Sequence, residues 1–272
     1  MFQKSLKRRP KVEYIGEWII RPLAHLCVFP LAKLGVNPIY LVLFHTLLGI
    51  YAGVLIYQNK YIESAVLIFI KTILDAADGQ LARATDQVSD LGRYLDSEGD
   101  FLVNFSLFIF IGIATQNILL SLVAFSIFTL FLSLDYNFEF AFQKSRLQEF
   151  RAKPKLNDEN TKSTIFFRKI YEFIFGKQDY FIRKFIYSRF ESIFNTYKNN
   201  KSKESAFIVY NDELSILILT NLGLAEQMLI LIALLLLGIP EVFIYICFIY
   251  LLIAIFLQLF REIRLRNFLS EG

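Results

Sequence analysis

Six runs of about 20 predominantly apolar residues constrain this chain more than any other feature, because a run of that length is what an α-helix needs to cross a bilayer. They fall at Pro38–Tyr57, Tyr61–Arg83, Gly92–Thr115, Ile118–Leu134, Leu214–Leu237 and Val242–Phe260. In lipid, every backbone polar group of a helical span must be satisfied within the segment. The expected fold class is therefore an all-α integral membrane protein with six transmembrane helices in one membrane domain, 1–272. Spans one to four occupy 38–134, and spans five and six occupy 214–260. Composition agrees: 55% of residues are apolar and 20% charged, against roughly 45–50% and 25% in soluble domains. Such hydrophobicity excludes disorder. A net charge of +4 is too modest to suggest a nucleic-acid partner.

The basic residues give the spans an orientation. Residues 1–13 carry Lys4, Lys7, Arg8, Arg9 and Lys11, the stretch 143–213 carries fifteen Lys and Arg, and the tail carries Arg261, Arg264 and Arg266. The opposite face has only Lys60. Lys and Arg collect in cytoplasmic loops, so a multi-pass protein of the cell's inner, cytoplasmic membrane is expected, with both termini in the cytoplasm. Residues 14–34 read as an interfacial helix with Tyr14 and Trp18 at headgroup level. Glu17, Arg21, Pro22, His25 and Pro30 interrupt the apolar run and no small-residue cleavage site follows, so it is not read as a signal peptide.

The insert 143–213 has an amphipathic middle. Phe166, Ile170 and Phe173, then Phe181, Phe185 or Ile186, Phe190, Ile193 and Tyr197, recur at three- and four-residue steps with Lys and Arg between them. Gly176 is expected to break this stripe into two cytoplasmic helices. The same stripe suits helices lying on the membrane surface and helices packed on each other or on the bundle. The polar flank Lys153–Lys162 reads as loop.

Cys27 and Cys247 lie far apart with no CxxC, which excludes a zinc ribbon or thioredoxin-type site; both read as buried structural thiols. His25 and His45 sit among apolar residues without an HExxH and read as structural. Any metal is then expected on oxygen ligands, as a hard ion such as magnesium, manganese or calcium.

The second and third spans hold Asp75, Asp78, Asp96 and Asp100. On an insertion scale each costs about 2.5–3.5 kcal/mol inside a bilayer, and the four together about 10–14 kcal/mol. Asp75, Asp78 and Ala82 follow i, i+3, i+7 and share one helical face; Gly92, Asp96 and Asp100 follow i, i+4, i+8 and share another. The short connection 84–91 makes the two helices antiparallel neighbours. Asp75 lies eight residues before Arg83 and Asp100 eight after Gly92, so both sit about 12 Å in from the cytoplasmic ends. Asp75 should face Asp100, and Asp78 should face Asp96. Four converging carboxylates need cations; a divalent-metal cluster of one ion or two meets that need, and a two-metal site typically serves phosphoryl chemistry. Gly79 and Ala82 leave room beside the carboxylates, and Arg83 is placed to grip a phosphate.

The segment Asp75-Ala-Ala-Asp78-Gly79-Gln-Leu-Ala82-Arg83, eight residues, then Gly92-Arg-Tyr-Leu-Asp96-Ser-Glu-Gly-Asp100 resembles the CDP-alcohol phosphotransferase signature, D-x2-D-G-x2-A-R-x8-G-x3-D-x3-D, at all eight fixed positions. The six-span layout extends the resemblance to most of the chain, the insert excepted. The resemblance implies a membrane transferase that moves a substituted phosphate from a CDP-alcohol such as CDP-diacylglycerol to an acceptor alcohol, releases CMP and serves phospholipid or related polar-lipid biosynthesis. It implies two divalent cations, Mg2+ or Mn2+, on Asp75, Asp78, Asp96 and Asp100, with Asp100 also the general base. Gly79, Ala82 and Arg83 would contact the CDP portion, with Gly92 lining the pocket and Ser89 beside it in the loop. The active site would face the cytoplasm and the protein would be a homodimer.

Two features depart from the pattern. The first span opens Asn37-Pro38-Ile39-Tyr40 where many members have Pro-Asn and a nearby Thr. Asp96-Ser97 leans toward inositol-phosphate-type members, but Phe101 stands where those have Arg, so no acceptor is assigned. The alternative reading is a cation transporter with the aspartates as its ion path. It asks for polar residues on further spans, and only the fifth offers them, as Asn221, Glu226 and Gln227.

Overall fold

The structure is a computed structural model that describes residues 12–146, 160–197 and 201–271 of the 272-residue chain. The basic cluster Lys4–Lys11 and most of the loop expected at Lys153–Lys162 lie outside the described residues. Every regular element described is helical. A π-helical turn, Gly16–Ile20, leads into α1 (Arg21–Lys33); α2 (Pro38–Tyr57), α3 (Tyr61–Ala84), α4 (Asp90–Ala114) and α5 (Ile118–Ser145) follow. Next come α6 (Lys162–Tyr171), a second π-helical turn (Glu172–Gly176) and α7 (Lys177–Thr196). The chain ends in α8 (Lys203–Tyr210), α9 (Glu213–Thr220), α10 (Leu224–Leu236) and α11 (Val242–Ser270).

Among the described residues, five stretches are long and apolar enough to cross a membrane: α2, α4, α5, the run Lys203–Leu236 and α11. The chain is thus an integral membrane helical protein. The second expected span, α3, is long enough at 24 residues, but Glu63, Lys71, Asp75, Asp78 and Arg83 make it too charged to qualify on composition. It packs against α1, α2 and α10. Intramembrane charge is tolerated where it faces protein rather than lipid.

Local chemistry sets the helix starts. Asn37 caps α2 by accepting from the Ile39 amide at 2.9 Å, with Pro38 in the first turn where its missing N–H is harmless. Ser89 caps α4 by accepting from the Gly92 amide at 3.0 Å.

The apolar core of the bundle joins α2, α3, α4, α5, α10 and α11, with Phe108, Phe128 and Phe243 mutually packed at its centre. Helices α2 and α4 cross closely because glycines face each other's side chains. A Cβ on Gly49 would fall 2.6 Å from both Val103 methyls, and one on Gly53 would fall 2.8 Å from the Phe110 ring. On α4, a Cβ on Gly99 would overlap the Thr46 hydroxyl. Gly49→Val is therefore expected to destabilise the protein by about 1–3 kcal/mol. Thermal unfolding in detergent would measure this, and Val103→Ala in the same chain should restore part of the loss.

Two expectations are corrected. The fifth span is not one helix over Leu214–Leu237. Asp212 starts α9 by accepting from the Ser215 amide at 2.9 Å, and the helix stops at Thr220 before Asn221-Leu222-Gly223. Asn221 uses the break to accept from the Tyr14 amide and donate to the Val12 carbonyl, both at 2.9 Å, which ties down the start of the described chain. Gln227 donates to the Leu222 carbonyl at 2.7 Å. Asn221 and Gln227, offered above as parts of an ion path, are thus engaged at this break.

Nor does Gly176 break the insert. It sits in a right-handed conformation (φ −58°, ψ −41°) at the end of a π-turn that joins α6 to α7. The apolar stripe instead splits between two faces. Ile182, Ile186, Phe190 and Ile193 are buried in a second core with Phe138 and Phe142 of α5 and Leu257 and Leu265 of α11. Phe166, Phe173, Phe181 and Phe185 are exposed. Asp179 accepts from Ser133 and from Asn137 (3.0 Å), and Arg189 grips Glu262 with two bonds at 2.7 and 2.5 Å. Of the two open packing modes, α7 therefore takes the bundle. Helix α1 lies where the interfacial helix was expected, with Trp18 exposed and Ala24 and Val28 packed on α2 and α3. Cys247 is buried, whereas Cys27 is only half-buried.

Candidate metal centre and active site

The close α2–α4 crossing decides which groups meet. One turn from Gly49 on α2 stands His45; one turn from Gly99 on α4 stands Asp96. His45, Asp75, Asp78 and Asp96 each present one ligand atom, and these atoms all lie within 4.8 Å of one another. His45 Nε2 is 2.7 Å from Asp78 Oδ2, and His45 has no exposed surface. Asp100 is not in this set. Its carboxylate takes a hydrogen bond from the ammonium of Lys71, which also donates to Asp75 at 3.3 Å. The expected facing of Asp75 and Asp100 is thus realised through a lysine between them, and Asp78 and Asp96 do share one cluster.

The cluster's chemistry fits a divalent cation. Three carboxylates crowd together in a mostly buried site, with the Lys71 ammonium hydrogen-bonded to Asp75 and Asp100 beside it. Asp96 Oδ1 and His45 Nδ1 are buried without a hydrogen-bond partner. A buried carboxylate oxygen left unsatisfied carries a full desolvation penalty, which a cation would remove. Such an oxygen-rich set with one imidazole suits a divalent metal ion.

His45 and Lys71 were missed from the sequence. His45 was read as a structural histidine because nothing on its own helix marks it. The packing of α2 on α3 brings it to Asp78, and the glycine-mediated crossing of α2 on α4 brings Asp96 to the same place. Lys71 had a legible signal: a lysine within an apolar run, four residues before Asp75 and so on its face. Intramembrane ionisable residues are functional candidates by default.

The remaining residues singled out above lie at the loop end of the same two helices. Gly79 is bare where the Arg83 guanidinium folds back: a Cβ there would lie 3.2 Å from Arg83 Nη1. Ala82 and Arg83 are half-buried. Ser89 spends its hydroxyl oxygen on the Gly92 cap, and a Cβ on Gly92 would lie 3.0 Å from it. Asn37, at the start of α2, is similarly occupied as a cap.

The fold and site together define a class: a polytopic helical membrane protein with a buried acidic centre, suited to divalent cations, made by α3 and α4 where both pack on α2 and its His45. Comparison with known proteins points to a family. Residues 36–154, a little under half of the chain, match the family model of the CDP-alcohol phosphatidyltransferases, whose members transfer substituted phosphate groups. The match covers α2 to α5 and therefore the whole acidic centre. Over 108 residues the chain is 37% identical to the archaetidylinositol phosphate synthase of Pyrococcus horikoshii, covering 40% of this chain and 52% of that protein. Over 83 residues it is 37% identical to the inner membrane protein YnjF of Escherichia coli, covering 30% of this chain and 40% of that protein. The chain thus spans about half the length of the curated relatives it matches. No solved structure matches it.

Proposed function

We propose that this protein transfers a substituted phosphate group from a CDP-alcohol, such as CDP-diacylglycerol, to an acceptor alcohol, with release of CMP. The observation that carries this reading is the convergence of the signature aspartates of α3 and α4 on one buried site. In this proposal α3 is a sixth transmembrane helix, its charges turned toward protein. The termini and the site face the cytoplasm, consistent with the basic residues near the ends of α4, α5 and α11. The homodimer implied by the resemblance belongs to the same proposal.

Asp75, Asp78 and Asp96 would hold divalent cation, with His45 orienting Asp78. A bound Mg2+ or Mn2+ would neutralise the pyrophosphate and the charge that develops as CMP leaves. A second ion at Asp100 would require Lys71 to move off that carboxylate. Arg83, across the bare Gly79, would grip a phosphate of the CDP portion, with Ala82 and Gly92 as close walls. Asp100 would take the proton of the acceptor hydroxyl as its oxygen bonds to the phosphorus bearing the donor alcohol. The bond from that phosphorus to the bridging oxygen breaks, and CMP departs with the electron pair. Ser97 and the likeness to an archaetidylinositol phosphate synthase make inositol phosphate the first acceptor to try.

The donor and acceptor are identified by incubating the purified protein with CDP-diacylglycerol, other CDP-alcohols and cell lysate as acceptor source, then analysing products by mass spectrometry. A new phosphodiester that appears with CMP supports the reading; its absence across the panel counts against it. His45→Ala is expected to weaken Mn2+ binding about 10–100-fold, as loss of a ligand-orienting partner does. Calorimetric titration of the detergent-solubilised protein would read this, with His45→Gln recovering part of the affinity through its own donor.

A further inference from the structure

The insert helices expose a row of lysine and phenylalanine side chains beside the start of a helix long and apolar enough to cross a membrane. Tyr171 stacks near Tyr94 (ring centroids 5.4 Å apart) and Phe175 meets Phe101 edge-on (5.7 Å). Tyr94 and Phe101 lie four and eleven residues into α4, about 6 and 16 Å along its axis. The joint between α6 and α7 is therefore sunk beside the first turns of a membrane-crossing helix.

On the outward face, Lys162, Lys169, Lys177 and Lys184 are all exposed and recur at steps of seven, eight and seven residues. Between them stand Phe166, Phe173 and Phe181, exposed by 60, 75 and 65%. The single step of eight spans the π-turn Glu172–Gly176. A π-turn closes with i→i+5 bonds and absorbs one additional residue, so both halves of the stripe stay on one face. The opposite side of α7 is already buried against α5 and α11.

We infer that the α6–π–α7 face is a lipid-docking surface for a leaflet containing anionic phospholipid, with the phenyl rings among the upper acyl chains and the four lysines at the phosphates. The depth argues for lipid, and the charge of the stripe argues for anionic headgroups: Glu172 is the one exposed acidic residue on it. Long Lys stems reach the headgroup level while their methylenes stay apolar, and a basic amphipathic helix of this kind binds in the interface plane. The surface lies beyond residue 154, where the family match ends. Only the leaflet it occupies depends on the orientation proposed above.

The test uses the full chain with Trp18→Phe and Phe181→Trp, which leaves one tryptophan as reporter. It is reconstituted in vesicles of unbrominated phosphatidylcholine to which an equal part of lipid with brominated acyl chains is added, either phosphatidylcholine or phosphatidylglycerol, so that the bromine content is the same in both. The expected result is a blue-shifted emission, mostly lost to the brominated chains, and lost further when the brominated lipid is phosphatidylglycerol. Lys162→Gln, Lys169→Gln, Lys177→Gln and Lys184→Gln combined should abolish that dependence on phosphatidylglycerol. Emission open to aqueous iodide and untouched by the brominated chains would overturn the inference, as would emission shielded from both and restored on dilution, the mark of a second copy. Bromine quenching that ignores phosphatidylglycerol would overturn its anionic part. A Phe166→Trp reporter on the other half of the stripe must give the same result, which guards against a local fault at 181. None of these readouts depends on transferase activity.

Discussion

Replacing Asp100 by Asn is expected to lower the rate of CMP release by about 10²–10⁴-fold, the usual contribution of a positioned general base. The isosteric amide keeps an acceptor oxygen for Lys71 and removes the group that takes the proton. The fold should not suffer. Four carboxylates on two helices repel one another when no cation is bound, and the Lys71 ammonium, which bonds Asp75 and Asp100, offsets part of that repulsion. Removing one negative charge should leave the melting temperature of the metal-free protein unchanged or raised. Activity and thermal stability therefore move in different directions, which separates a chemical role for Asp100 from a structural one. Full activity in Asp100→Asn would remove it as the base.

The second large effect lies away from the site. Arg261 is the largest fully buried side chain, 1% exposed. It donates to the Tyr210 carbonyl at 2.9 Å and to Asn211 Oδ1 at 2.6 Å, and its guanidinium lies over the Phe138 and Tyr210 rings. The side chain joins α5, α8 and α11 where the insert returns to the bundle. Arg261→Ala should cost about 3–5 kcal/mol, the usual penalty for breaking a buried charged network. Arg264→Ala, three residues on, where the side chain is 50% exposed and 3.9 Å from Asp212, serves as the control; it should change stability by no more than about 0.5 kcal/mol. Thermal unfolding in one detergent, with both variants side by side, measures the difference.

How legible the molecule was in its sequence follows physical lines. Long apolar runs and strict helical spacing are local signals, so five of the expected spans and the meeting of Asp75, Asp78 and Asp96 could be read directly. Ser89 and Asn37 turned out to be helix caps, a local role that their type and position allowed but that was not read from the sequence. Tertiary contact was what stayed hidden. His45 meets Asp78 because α2 packs on α3, and meets Asp96 because Gly49 and Gly99 let α2 and α4 approach; no spacing within α2 reports either contact. The break at Asn221 depends on a partner some two hundred residues away, the Val12–Tyr14 backbone. Gly176 looked like a breaker but sits in ordinary helical geometry within a π-turn that keeps the insert's stripe in line. Lys71 was available to a stricter rule: every charge inside a span must be given a partner.

The central claim is that the aspartates of α3 and α4 form a metal-dependent phosphotransfer site. Its most direct test is CMP release by the purified protein from CDP-diacylglycerol and a panel of CDP-alcohols, with inositol phosphate among the acceptors. Each reaction is run with Mg2+, with Mn2+ and with chelator, and repeated with Asp96→Asn. The predicted result is CMP formed with metal, abolished by chelation and lost in the variant. Metal flux across liposomes containing the protein, with no CMP from any donor, would contradict it.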